Sequence, residues 1–173
     1  MSPDRPGRRA RRAGAVLLSA ALLVLVTSPT RAVPSRPVLP LALAQEAAAS
    51  ALRACAEEGY DVSVAVVDGD GLVKVLLRGD GAGPHTLDSS SRKAYTALSL
   101  RHSTGALVEL VQKNPSAAGL RDMNERILIL GGGLPIRVAN TVVGGIGVGG
   151  APGGELDEAC ARAGIDAIRE RLR

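Results

Sequence analysis

The 173-residue chain has enough apolar residues for one core, but it has no Phe, no Trp and only two Tyr, so Val, Leu, Ile and Ala must build that core. Its net charge of +4 comes from the first 32 residues, because residues 33–173 carry 15 Lys and Arg against 16 Asp and Glu, a net charge of −1. The composition therefore gives no support for nucleic-acid binding. Two His and two Cys make a structural zinc site improbable.

Residues 1–32 have the pattern of an export signal peptide. A strongly basic start precedes a twelve-residue apolar stretch, 15–26, interrupted only by Ser19, and Thr30 and Ala32 suit the −3 and −1 positions of a cleavage site. Twelve helical residues span about 18 Å, which is short of the roughly 30 Å hydrocarbon core of a bilayer. The sequence thus predicts a secreted or extracytoplasmic protein. The alternative is an uncleaved anchor, and the paired arginines leave open whether export uses the Sec or the twin-arginine route.

The remaining chain predicts an α+β fold. A Pro-rich lead-in, residues 33–39, precedes a domain over residues 40–173. Helices are predicted over 41–58, 87–101, 105–113 and 155–172, a β-hairpin over 61–78, and three further strands at 126–130, 134–138 and 141–148. The order is α-β-β-α-α-β-β-β-α. Because short connections favour antiparallel pairing, we expect one five-stranded antiparallel sheet, profilin-like, with helices covering one face.

The two cysteines fall in the two terminal helices of this domain. If those helices lie side by side, Cys55 and Cys160 come within range of each other. Outside the cytoplasm, paired thiols tend to oxidise, so a disulfide is expected. The alternative is two buried free thiols that pack as small hydrophobic groups.

A glycine-rich segment, "VVGGIGVGG", covers residues 142–150. It lacks the Lys and Ser/Thr of a P-loop, and its glycines lie inside a predicted strand rather than between a strand and a helix. Glycine within a strand typically marks the close approach of another group. We therefore expect a flat ligand or a neighbouring subunit to approach the backbone here.

The "RHST" sequence at residues 101–104 marks the corner between the two central helices. Helical spacing places Tyr95, Leu98 and His102 roughly on one face, with Lys93 near the helix start. One interpretation is structural: Ser103 or Thr104 caps the second helix and His102 helps to end the first. The other is a ligand pocket for a metal-bearing flat ligand, with an imidazole and a hydroxyl as candidate axial ligands and Lys93 or Arg101 for carboxylates.

Three motifs together resemble the GlcG/HbpS family of haem-binding proteins. They are "SSRKAYTALSL" followed by Thr104, "GGGLPIRV", and "VVGGIGVGG" followed by "DEACARAGI", and the resemblance covers residues 40–172. It implies haem as cofactor, a homo-oligomer, and a role in haem scavenging, buffering or sensing. It also implies two alternatives: oxidative haem degradation, or action as an accessory module of a membrane sensor kinase.

The resemblance also implies site residues. A threonine after the "KA-x-TA" helix is an iron ligand in an exported relative, and Thr104 matches it best by position, with Thr96 second. His102 is this chain's own alternative axial ligand. Tyr95 and Lys93 are then expected around the ring. One departure is Gly149, where many members of the family have serine.

Overall fold

The computed structural model describes Met1 and residues 35–172. The predicted export signal therefore lies outside the described residues, apart from Met1. The helices are α1 (Leu41–Glu57), α2 (His85–Leu100), α3 (Thr104–Lys113) and α4 (Gly154–Ile168), with 3-10 segments at Pro115–Arg121 and Arg169–Arg171. The strands are β1 (Ser63–Asp68), β2 (Val73–Arg78), β3 (Gly133–Val138) and β4 (Thr141–Gly149). No described helix combines the length and the apolarity needed to cross a membrane.

The four strands form one antiparallel sheet in the order β2-β1-β4-β3. The main core lies between one face of this sheet and the helices α1 and α4, and it includes Val64, Val66 and Ile146. On the opposite face, α2 packs Ala94 against Ala65 and Val67. Helices therefore cover both faces of the sheet. The α+β class and the antiparallel sheet are confirmed, whereas the expectation that helices cover a single face is wrong.

The predicted strand at residues 126–130 does not form, and the sheet has four strands rather than five. Its alternating apolar side chains, Ile127 and Ile129, are buried against Leu107 and Val111 of α3. Its backbone bonds to side chains of α2: the Leu128 N–H donates to the Thr96 hydroxyl, 2.8 Å, and the Ile127 carbonyl accepts from Arg92, 2.9 Å. Because α2 satisfies these groups, the segment needs no neighbouring strand.

Glycines in β4 let α2 lie directly on the sheet. A Cβ at Gly145 would collide with the Ala94 carbonyl of α2, and a Cβ at Gly147 would collide with the Ser90 carbonyl. The close approach that the sequence predicts at these positions is therefore made by the protein's own helix. A flat ligand or a second subunit has no access to this face of Gly145 or Gly147.

The helices α1 and α4 pack through small residues and a covalent bond. A Cβ at Gly164 would meet the Ala47 carbonyl, so the two backbones are close. Cys55 and Cys160 form a disulfide with a Cα–Cα distance of 5.5 Å across a sequence separation of 105 residues. The two terminal helices therefore lie side by side, as the sequence predicts. The disulfide attaches the middle of α4 to α1.

Candidate functional site

The corner between α2 and α3 is held by an unusual backbone conformation. Helix α2 ends at Arg101, which adopts the left-handed conformation with φ 60°. That conformation costs a non-glycine residue about 1 kcal/mol. Ser103 then caps α3, because its hydroxyl accepts a hydrogen bond from the Ala106 N–H, 3.1 Å. His102 lies between these two fixed residues and is exposed to solvent.

An open groove begins at this corner; we call it the corner groove. Its volume is about 590 Å³, within the range of about 300–1,000 Å³ that is usual for small-molecule sites. The corner, β3 with its following turn, and the C-terminal half of α4 form its three walls. The lining residues are Arg101, His102, Ser103, Leu134, Pro135, Arg137, Ala139, Arg162, Ile165, Arg169 and Leu172. The groove thus combines apolar surface with four guanidinium groups and one imidazole.

The charges that line the corner groove are all positive. Arg162 of α4 pairs with Glu158 of the same helix, 3.2 Å, and Arg169, directly after α4, pairs with Asp166 of that helix. On the facing wall, Arg137 donates a hydrogen bond to the Arg101 carbonyl, 2.6 Å. Within residues 35–172, no carboxylate lies within ion-pair distance of Arg101 or Arg137. The groove therefore favours an anionic ligand.

The two predicted threonines lie outside the corner groove. Thr104 is fully buried, and its hydroxyl accepts the Gly133 N–H at 2.8 Å. Thr96 is also fully buried; its hydroxyl donates to the Arg92 carbonyl, 2.8 Å, and accepts from the Leu128 N–H. Each hydroxyl therefore holds a neighbouring segment in place, and neither is presented to a ligand at the surface of this chain.

Lys93 is buried in an ion pair with Asp157, 2.7 Å, and both side chains are at most 4% exposed. The Lys93 ammonium also donates to the Val148 carbonyl, 3.0 Å, and the Asp157 carboxylate accepts from the Ala151 N–H, 3.0 Å. Burial raises the pKa of the Asp157 carboxyl, because desolvation outweighs the opposing hydrogen bond and charge of Lys93. The pair ties α2 to the start of α4. We call Lys93, Asp157, Thr96 and Thr104 the sealed cluster.

Tyr95 supports the hairpin between β1 and β2. The Arg126 guanidinium lies 3.8 Å from the centroid of the Tyr95 ring, and Gly71 of the turn lies against the ring. Arg126 also donates to the Gly71 carbonyl. Tyr95 lines a separate polar cavity of about 400 Å³, which shares Arg101 with the corner groove. Of the five predicted haem-binding residues, only His102 lines the corner groove.

Sequence reasoning missed most of the groove. It left out Arg137, the α4 residues Arg162 and Ile165, and Arg169 directly after α4. Arg162 and Arg169 are seven residues apart and so share a helix face, which is a pattern that the sequence does show. Arg137 is the exposed basic residue of an otherwise apolar strand, a weaker indication.

One known protein family matches most of this chain. The model of a family described as "Haem degrading protein HbpS-like" matches residues 39–166. The chain belongs to the HbpS-like family. The resemblance to the GlcG/HbpS family that the sequence shows is therefore confirmed.

Individual relatives of this HbpS-like chain agree with the family. The crystal structure of HbpS is 43% identical with a TM-score of 0.73, and the match covers 79% of this chain and 94% of that one. A double mutant of HbpS from Streptomyces reticuli is similar to the same degree, with 90% of that chain covered. The Klebsiella pneumoniae protein ORFY is 35% identical with a TM-score of 0.73, over 78% of this chain and 94% of that one.

One further protein sequence and one more distant structure are also similar to this chain. An uncharacterized 15.0 kDa protein of the dhaT–dhaS intergenic region of Citrobacter freundii is 36% identical over 131 residues, which is 75% of this chain and 92% of that one. The PduOC:haem complex is 24% identical with a TM-score of 0.70, over 76% of this chain and 96% of that one. At that identity the PduOC structure shows that the fold is shared.

Proposed function

We propose that this protein binds haem in the corner groove. The observation that carries the proposal is the imidazole of His102 in a groove that also has apolar surface and two arginines, Arg101 and Arg137, without an acidic partner within residues 35–172. These are the three features that haem requires: a ligand for iron, apolar contact for the ring faces, and cations for the propionates. The description of the family names haem, which supports the same ligand.

The residues of the groove fit this ligand in distinct roles. His102 is the candidate axial ligand. Leu134, Ile165 and Leu172 offer apolar contact, and Arg101 and Arg137 offer charge. Bound haem supplies a redox-active iron, while the chain's own groups hold the ring and limit the access of water. Thr104, the ligand that the resemblance implies, reaches haem only if the Gly133 contact opens.

We place this function outside the cytoplasm, where the predicted export signal would deliver the protein. Haem scavenging, buffering or sensing is the role that the resemblance favours there. A homo-oligomer is part of the proposal, supported by exposed apolar side chains at the edge of the sheet: Val73 and Leu76 in the edge strand β2 and Leu72 directly before it. A membrane sensor kinase as partner stays a prediction of the resemblance.

A haem titration of residues 33–173 tests the proposal. We expect a Soret shift that saturates near one haem per chain. His102→Ala should change the Soret position and weaken binding by about tenfold or more, because the coordinate bond to iron is lost. His85→Ala removes the other histidine, which is exposed at the start of α2, and should leave the titration unchanged. Absence of any Soret shift in the wild type would refute haem binding.

Haem degradation is the second candidate, favoured by the description of the family. Degradation and binding differ in what happens to the Soret band. With a reductant and oxygen, a degrading enzyme loses the Soret band and releases a linear tetrapyrrole, whereas a binding protein keeps the band. The same purified protein, loaded with haem, decides between the two.

A further inference from the structure

The arginines of the corner groove fall into two kinds. Arg162 on α4 and Arg169 directly after it each have an acidic partner one turn earlier on α4. Arg101 and Arg137, on the facing wall, have no such partner among the described residues. The positive charge of the groove is therefore least compensated on one wall. This is notable in a chain whose residues 33–173 carry a net charge of −1.

A hydrogen bond from a side chain to the backbone joins these two arginines. Arg137 donates to the Arg101 carbonyl, 2.6 Å, which places a guanidinium of β3 beside the end of α2. Arg101 itself keeps a left-handed conformation, φ 60°, that glycine would adopt without cost. Despite that cost, the chain places at this helix end a side chain that lines the groove.

The chemistry of guanidinium defines what this wall recognises. Arginine has five N–H donors in a fixed planar arrangement that matches a carboxylate through two parallel hydrogen bonds. Arg137 uses one N–H for the Arg101 carbonyl and keeps the others. Because Arg101 lines the same groove, the two guanidinium groups together suit a ligand that carries two carboxylates on one edge.

We infer that Arg101 and Arg137 form a carboxylate-binding wall that restricts the ligand of the corner groove to tetrapyrroles with free propionates. This inference rests on the proposed haem-binding function and narrows its ligand class. It separates two contributions to affinity: His102 acts on the iron, and the two arginines act on the propionates. An iron-free porphyrin with free propionates is then a ligand, and its diester is a poor one.

Titrations that vary both the ligand and the protein test the inference. Residues 33–173 are titrated with haem, with protoporphyrin IX, and with protoporphyrin IX dimethyl ester under identical detergent conditions. In the wild type, the diester should bind about tenfold more weakly than the free acid, since charge-assisted hydrogen bonds are lost. Arg137→Gln should weaken binding of the free acid by about tenfold and leave the diester unchanged. Arg101→Asn should act in the same way, and asparagine tolerates the left-handed backbone.

Controls separate charge from folding. Arg121→Gln removes an exposed cation that does not line the groove and should leave all three titrations unchanged. Arg137→Lys keeps the charge and should restore part of the affinity for the free acid. Thermal unfolding of each variant checks that the fold persists.

The outcomes distinguish the two proposals. If the wild type does not bind haem, the proposed function fails and this inference fails with it. If haem binds but the diester binds as tightly as the free acid, only the inference is overturned. An equal effect of Arg137→Gln on acid and diester overturns it as well, because the arginine would then act through the fold rather than through a carboxylate.

Discussion

The sealed cluster includes residues of α2, and the corner groove begins where α2 ends. The two regions differ in how far their polar side chains are exposed to solvent. In the sealed cluster, Lys93 and Asp157 are buried and satisfied by each other and by the backbone. In the corner groove, His102 and Arg101 are exposed. The comparison shows that Lys93, within α2, serves the fold, whereas Arg101 and His102, just after the end of α2, are available to a ligand.

The boundary between the two regions is the left-handed residue Arg101. Up to Leu100, helical geometry directs polar side chains such as Thr96 onto packed neighbours. After Arg101 the chain changes direction, and His102 is released from that geometry. Variants that disrupt one region should therefore leave the other largely unaffected.

The largest expected effect is on the sealed cluster. Asp157→Asn leaves the Lys93 ammonium buried without its counter-charge and should lower the free energy of unfolding by about 3 kcal/mol. Urea unfolding of residues 33–173 measures this loss. Asp166→Asn, at an exposed site on the same helix, should change it by less than about 0.5 kcal/mol. If the two variants are equally stable, the buried pair contributes little to the fold.

A smaller effect is expected where α2 rests on the sheet. Gly147→Ala places a methyl group against the Ser90 carbonyl and should cost about 2 kcal/mol, because neither backbone can move freely. Gly119→Ala is the matched control, since a Cβ there meets nothing within 4 Å. Thermal unfolding compares the two. A neutral Gly147→Ala would indicate that α2 does not need this contact.

The smallest effect separates Thr104 from His102. Thr104→Val leaves the buried Gly133 N–H without an acceptor and should cost about 1–2 kcal/mol, with the haem spectrum unchanged. His102→Ala should do the reverse, altering the haem spectrum with little effect on stability. Urea unfolding and a haem titration of both variants provide the check. If Thr104→Val abolishes the Soret shift in a stable protein, the threonine implied by the resemblance is the ligand.

Local patterns predicted much of the fold. The hairpin near residues 61–78 and the four helices have causes within a few residues of each other, whereas the pairing of the two terminal helices joins segments about 100 residues apart. The strand predicted at 126–130 does not form. An alternating pattern of apolar residues indicates only that every second side chain is buried. It does not report whether the backbone pairs with a strand or with side chains of a helix.

The candidate site was harder to predict because its determinants are distant in sequence. Arg101 and Arg137 are 36 residues apart, and nothing in the local sequence of either residue indicates the other. Helical spacing assigned Tyr95 and His102 to one face, but the helix ends before His102 is reached. A left-handed arginine at that end has no sequence pattern of its own, since glycine is the usual residue there.

The Cys55–Cys160 bond has a consequence for the integrity of the groove. The residues that the corner and β3 contribute, from Arg101 to Ala139, lie inside the loop that this bond closes, whereas those of α4 lie beyond it. A protease that cuts the backbone once between the two cysteines would therefore leave both halves of the groove covalently attached. Such a nicked protein would migrate as one species on a non-reducing gel and separate into two fragments only after treatment with a thiol.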